Sequence, residues 1–213
     1  MNNSPSLDLV EFIETQILPK YAEFDAAHSL SHVQRVIRAS IQLSKTFGAD
    51  MNMVYTIAAY HDLGLSGPRA IHHLTSGKIL AADARLKKWF SPQQILLMKE
   101  AVEDHRASSS HSPRSIYGKI VAEADRDLDP MMVLRRTVQY GLNAYPQKSR
   151  SEQFDRFVHH LNEKYAQGGY MKLWLTGTEN EKLLNKLRSI ISDNGKLKTI
   201  FEQLYDEETK TQE

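Results

Sequence analysis

The chain has 213 residues, 41% hydrophobic and 25% charged, and its 27 basic and 26 acidic residues leave a formal net charge of +1. The apolar content suits a sizeable core, and the charge balance gives no case for nucleic acid or an acidic membrane as partner. No cysteine is present, which excludes disulfides, thiolate metal ligands and cysteine nucleophiles.

The start, Met1-Asn2-Asn3-Ser4-Pro5, has no basic stretch leading into an apolar run, so no signal peptide is expected. No apolar stretch nears the ~20 residues that span a bilayer, and a cytoplasmic globular protein is expected. Helical periodicity then runs through the chain with no alternating strand pattern. Leu9, Phe12, Ile13 and Ile17 mark a first helix, disfavoured at Pro19. A second, His32 to Phe47, turns Val33, Val36 and Ile37 inward and stops at Gly48. Asp50 is placed to cap a third that runs into Tyr60-His61-Asp62-Leu63-Gly64. A fourth follows around Ile71 to Ala84. Ser91-Pro92-Gln93-Gln94 opens a fifth as a capping box with proline at the first position. Ala107 to Ser115 reads as a mobile polar loop, Ile116 to Asp127 as a sixth helix, and Pro130 to about Tyr140 as a seventh. After a linker at Tyr145 to Arg150 come helices around Phe157, around Leu187 (opened by a capping box at Thr178 and Glu181) and around Phe201, then a charged, frayed tail after Glu207. The fold class is all-α, a helical bundle around one core in a single domain.

His61 and Asp62 stand side by side where a helix stops, so both can turn toward one point. An imidazole beside a carboxylate is a start for a divalent metal site. Other ionisable groups lie on apolar faces or at helix ends: His32, Arg35, His72, His73, His105, Asp125 and Asp129. Each also has a plainer reading. His105 alone suits a hydrogen-bonded core residue, and Asp125 a cap or ion-pair partner. Arg35 and Arg126 suit solvated or paired positions, and Lys119 a helix salt bridge to Glu123. His28 and His111 fall in loops and read as surface residues.

The order His32, then His61-Asp62, then Asp125 resembles the HD superfamily of metal-dependent phosphohydrolases, in particular its small bacterial subgroup. The words that carry the likeness are His32-Val33-Gln34-Arg35-Val36, Ala58-Ala59-Tyr60-His61-Asp62-Leu63-Gly64 and Gly118 to Arg126, with His73-Leu74-Thr75-Ser76 and Glu103-Asp104-His105-Arg106 between them. The likeness implies an N-terminal helix (1–27), a metal-binding core (28–130) and C-terminal helices packing on that core (131–213). Tyr60 departs from it, since the subgroup usually has an aliphatic residue there. Leu63 to Pro68 holds no carboxylate, unlike (p)ppGpp hydrolases.

The resemblance implies a divalent ion (Mn, Fe, Ni or Mg) held by His32, His61, Asp62 and Asp125, with a second ion on His73, His105 and Asp62 as an option. A bound water made hydroxide would attack phosphorus and cleave a phosphate ester or anhydride of a nucleotide or similar small molecule. Arg35, Lys119 and Arg126 are candidates for a phosphoryl clamp, His73 and His105 for proton transfer, His72 and Arg126 for substrate contact, and Asp129 for orienting a metal ligand. The activity expected is that of a phosphohydrolase, with nucleotide pyrophosphohydrolase or phosphodiesterase as its narrower forms, in a monomer or homodimer. The alternative is an HD-type nucleotide-binding or regulatory module with little or no turnover. A metal-free helical interaction protein is the third reading.

Overall fold

A computed structural model describes residues 4–25, 28–109 and 111–210. Among them are ten α-helices and no strand. The chain groups into two compact units, Met1–Arg126 and Asp127–Glu213.

The first unit holds α1 (Leu7–Gln16), α2 (Leu30–Phe47), α3 (Met51–Tyr60), α4 (His72–Ala82), α5 (Pro92–Glu103) and α6 (Ile116–Ala124). Its axis is α3, whose residues Met53 through Tyr60 are all buried. A helix apolar all round belongs inside other helices. The amphipathic α2 covers it with Val33, Val36 and Ile37 and ends at Gly48, which takes φ +66° as a left-handed C-cap. Asp50 caps α3 by accepting from Met53 N, and the Ser91–Gln94 capping box opens α5. The N-terminal helix is part of this core rather than an appendage, since Leu9, Ile13, Ile17 and Tyr21 are buried within it. The loop expected after Asp62 is two 3-10 turns, Leu63–Ser66 and Arg69–Ile71. In the polar stretch from Ala107 to Ser115, Ser110 lies outside the described residues. Asp104 fixes that stretch's far end, accepting from Arg114 N at 2.7 Å and Nε at 3.0 Å.

Tyr60, the departure noted above, is fully buried, and its hydroxyl donates to Asp83 Oδ2 at 2.7 Å. That acceptor is what lets a phenol stand in an aliphatic position.

The second unit holds α7 (Pro130–Ala144), α8 (Arg150–Lys164), α9 (Glu179–Ile191) and α10 (Asn194–Lys210). Phe157 and Phe201 pack at 5.2 Å between ring centroids in its core. Ser149 and Glu152 form a capping box that the sequence reading did not single out. Thr178 caps α9 by accepting from Glu181 N, and the Glu181 carboxylate accepts from Gly177 N at 2.7 Å. The expected frayed tail is helical to Lys210, held where Arg135 pairs with Glu207 at 2.7 Å and with Glu208; residues 211–213 lie outside the described residues.

Candidate metal centre

Three histidines sit at helix ends and turn back on the carbonyl three residues earlier. His61 Nδ1 lies 2.8 Å from Ala58 O, His72 Nδ1 2.8 Å from Arg69 O, and His105 Nδ1 2.6 Å from Val102 O. A carbonyl only accepts, so each Nδ1 carries the proton and each neutral ring keeps its lone pair on Nε2. The sequence pattern behind this is a histidine just outside a helical turn, where its ring is free to fold back.

Those nitrogens meet the two oxygens of Asp62, which is 3% exposed. Asp62 Oδ2 lies 3.1 Å from His61 Nε2 and 3.5 Å from His32 Nε2. Asp125 Oδ1 closes the same group, 3.3 Å from His32 Nε2 and 3.8 Å from His61 Nε2. The other oxygen, Oδ1, is 3.5 Å from both His72 Nε2 and His105 Nε2. The centre therefore has two ligand groups that share one carboxylate, the pattern of His32-His61-Asp62 and Asp62-His72-His105.

This donor set fits divalent cations. The Nε2 atoms of His72 and His105 are 3.1 Å apart, and those of His32 and His61 3.3 Å apart. The facing lone pairs of His72 and His105 repel at that distance; a cation between them, or an added proton on one ring, removes the repulsion. Ligands about 2.0–2.2 Å from an ion lie about 3.0–3.6 Å from one another, the spacing found here. Imidazole nitrogen with carboxylate oxygen and no sulfur suits Mn, Fe, Ni or Zn.

The electrostatics divide the groups. Burial opposes charge on His32, but its hydrogen bonds to the Asp125 and Asp62 carboxylates outweigh it and hold the imidazolium, pushing it up to about 9. His61 is raised by Asp62 in spite of its burial. Burial likewise opposes charge on Asp62 and Asp125, yet the surrounding imidazoles hold both carboxyls well below the usual range. His72 is lowered, by burial and by His105 beside it.

Several roles expected from the sequence move. His72, not His73, faces Asp62. His73 is one helical step round, its ring 5.6 Å from that of His72, and it lines a different cavity with Glu103 and Arg106. The second ligand group is thus Asp62, His72 and His105. Arg35 is spent on the protein itself: it donates to the carbonyls of Ala124 (3.1 Å) and Asp125 (3.2 Å), and Nη2 lies 3.3 Å from His32 Nδ1. Arg126 donates to Asp125 Oδ2 at 3.1 Å and to His105 O at 2.9 Å. Both arginines contact the ligand residues or the backbone that carries them. Lys119 has no hydrogen bond or ion pair to the ligand residues, or to Glu123, among the described residues. It precedes Asp125 by six residues, roughly 240° round a helix, which takes it off the ligand face. Asp129 caps α7 by accepting from Met132 N at 2.9 Å. Tyr21 is a site residue the sequence reading passed over. It is buried, donates to Ala59 O at 3.0 Å, and accepts from Asp62 N at 3.4 Å, fixing the turn that presents the His-Asp pair.

Residues 29–128 match the family model of the HD domain. That segment is an HD domain, and it contains every candidate ligand of the centre. Proteins of this family are in general metal-dependent phosphohydrolases, and the His/Asp cluster fits a divalent metal site of the HD kind. No curated protein and no solved structure matched the chain. No helix among the described residues is long and apolar enough to cross a membrane.

Proposed function

We propose that this protein hydrolyses a phosphate ester or anhydride of a nucleotide or similar small phosphorylated molecule, with two divalent ions held on either side of Asp62. The observation that carries this reading is the return of His61, His72 and His105 onto carbonyls three residues back, which leaves their Nε2 lone pairs aimed at the two oxygens of one buried carboxylate. Bound there, the ions would activate water and polarise a phosphoryl oxygen. The chain's own part is orientation. The carbonyls fix the tautomer of three rings, Tyr21 and Gly64 fix the Asp62 turn, and Arg35 and Arg126 fix His32 and Asp125. His105 and His72 sit where a proton would be exchanged with the substrate only if metal is absent; with metal they are ligands, and the substrate's charge is met by the ions. Small bacterial members of the family, which this chain resembles in its motif words, suggest cleavage of a nucleoside triphosphate between the α and β phosphates as the narrower form.

The test is elemental analysis of purified wild type and Asp62→Ala, followed by phosphate and pyrophosphate release from nucleotides with Mn²⁺, Fe²⁺, Ni²⁺ and Mg²⁺. Metal bound by wild type and lost in the variant, with metal-dependent turnover lost alongside, supports the reading. Equal turnover in the two proteins would sink it, and tight nucleotide binding without turnover under every metal would move the chain to the regulatory-module reading.

A further inference from the structure

The second unit contains a cavity of about 420 Å³ that the metal centre does not use. Its floor is Arg156 on α8. The guanidinium donates through Nη2 to Thr137 O and through Nε to Gln153 Oε1 at 3.3 Å, and it sits 5.9 Å from the Tyr140 ring centroid. Among the described residues no carboxylate pairs with it, whereas the neighbouring Arg136 is neutralised by Asp127 at 2.9 Å. A half-buried guanidinium with two of its five N–H donors on neutral acceptors is a charge awaiting an anion. Gly141 leaves it room: a Cβ there would come within 2.4 Å of both Arg156 Nη2 and Gln153 Oε1. Gln153 is itself buried and bolts the wall, donating to Gly141 O at 3.0 Å and Tyr145 O at 2.7 Å.

The walls supply the rest of a recognition site. Tyr140 and Tyr145 present rings 6.2 Å apart in an edge-to-face pair, and Tyr140 is 60% exposed. Large aromatic rings left in water beside a cavity are stacking surfaces for planar ligands. Glu163 lines the other end. It follows Arg156 by seven residues, two helical turns and roughly 10.5 Å along the same face of α8. His160 lies between them, held toward the neutral form by burial and by Lys164. The cavity is therefore cationic at one end, acidic at the other and aromatic along its side. Its volume falls in the range of about 300–1,000 Å³ of small-ligand pockets.

We propose that this cavity is a second ligand site that binds a mononucleotide, with the phosphate on Arg156, the base against Tyr140 and Tyr145, and N–H donors of the base toward Glu163. Guanidinium suits phosphate, tyrosine faces suit a base, and a carboxylate accepts from exocyclic amines. The site is built wholly from residues of the second unit and does not depend on the metal-centre reading.

Isothermal titration of the full chain in chelator with adenosine monophosphate, adenosine and inorganic phosphate tests this. One mononucleotide should bind per chain in both wild type and Asp62→Ala, more tightly than either fragment. Arg156→Gln should weaken the mononucleotide roughly tenfold or more while leaving adenosine unchanged, as expected for loss of a charged hydrogen bond. Tyr145→Ala, at an exposed position that carries no fold, should weaken both nucleotide and adenosine, and it keeps the test valid if the arginine variant does not fold. No mononucleotide binding at millimolar concentration, binding lost in Asp62→Ala but kept in Arg156→Gln, or preference for an aromatic amino acid over the nucleotide would each overturn the proposal.

Discussion

The two ligand groups that share Asp62 are built by the same device and yet differ in charge. His61 on one side and His72 and His105 on the other all fold back on a carbonyl three residues earlier. The first group adds a second carboxylate, Asp125, and its imidazoles are held toward the charged form. The second has only Asp62 Oδ1 between two imidazoles, and His72 is held toward the neutral form. The first side has the whole of the Asp125 charge besides its share of Asp62, whereas the second has only its share of Asp62 beside two imidazoles. The cation on the first side should bind more tightly, and the second should be the one whose occupancy follows the free concentration.

The largest disturbance of that comparison is to remove what the groups share. Asp62→Ala should lose metal from both and reduce phosphohydrolysis to background, with far-ultraviolet circular dichroism unchanged. Breaking one side at a time separates them: His72→Ala should take the metal content from two ions per chain to one and keep the tighter ion, while His61→Ala should lose the tighter one. Equal loss in both variants would mean the groups are not distinct. Gly64→Ala attacks the join between them, because a Cβ there would meet His72 O at 2.2 Å and Ser76 N at 2.6 Å, backbone atoms that cannot swing aside. A cost of about 1–3 kcal/mol in chemical denaturation is expected from such overpacking, with the His72 side displaced first. Arg126→Leu frees Asp125 Oδ2 and the His105 carbonyl and should weaken the first ion roughly 10–100-fold in chelator competition, as loss of a ligand's orienting partner does, with a smaller loss at the second. Tyr21→Phe is the mildest. It removes the hydroxyl between Ala59 O and Asp62 N and should lower stability by about 1 kcal/mol without changing the metal count.

Much of the fold was legible, because apolar spacing and caps such as Asp50 and Ser91 are local signals. Of the residues named as ligands, His32, His61 and Asp62 form one group in the structure, and Asp125 Oδ1 lies 3.3 Å from His32 Nε2. What stayed illegible depended on angle and reach. Whether His72 or His73 turns inward is set by the phase of α4, which begins at that very pair after a three-residue 3-10 turn that the sequence does not announce. Arg35 and Arg126 read in sequence as solvated or paired side chains or as clamp candidates, because nothing in their spacing says that Arg35 will reach carbonyls at the end of α6 or Arg126 the carbonyl of His105. Tyr21 was invisible as a site residue, since its partners lie 38 and 41 positions away. Ser149 and Glu152, by contrast, carried a readable capping pattern that was missed.

The ligands come from the start of α2, the end of α3, the start of α4, just past α5 and the end of α6, in a chain without a single cysteine. A cation held there is a reversible cross-link that closes chain segments running from residue 32 to residue 125, the office a disulfide fills elsewhere. Unlike a disulfide, its strength is set by mass action: free cation at a hundredfold excess over its dissociation constant adds about 2.7 kcal/mol to the folded state. The surrounding metal pool therefore enters the folding equilibrium of the first unit directly. Scarcity would show as faster amide exchange at those five helix ends before any helix is lost.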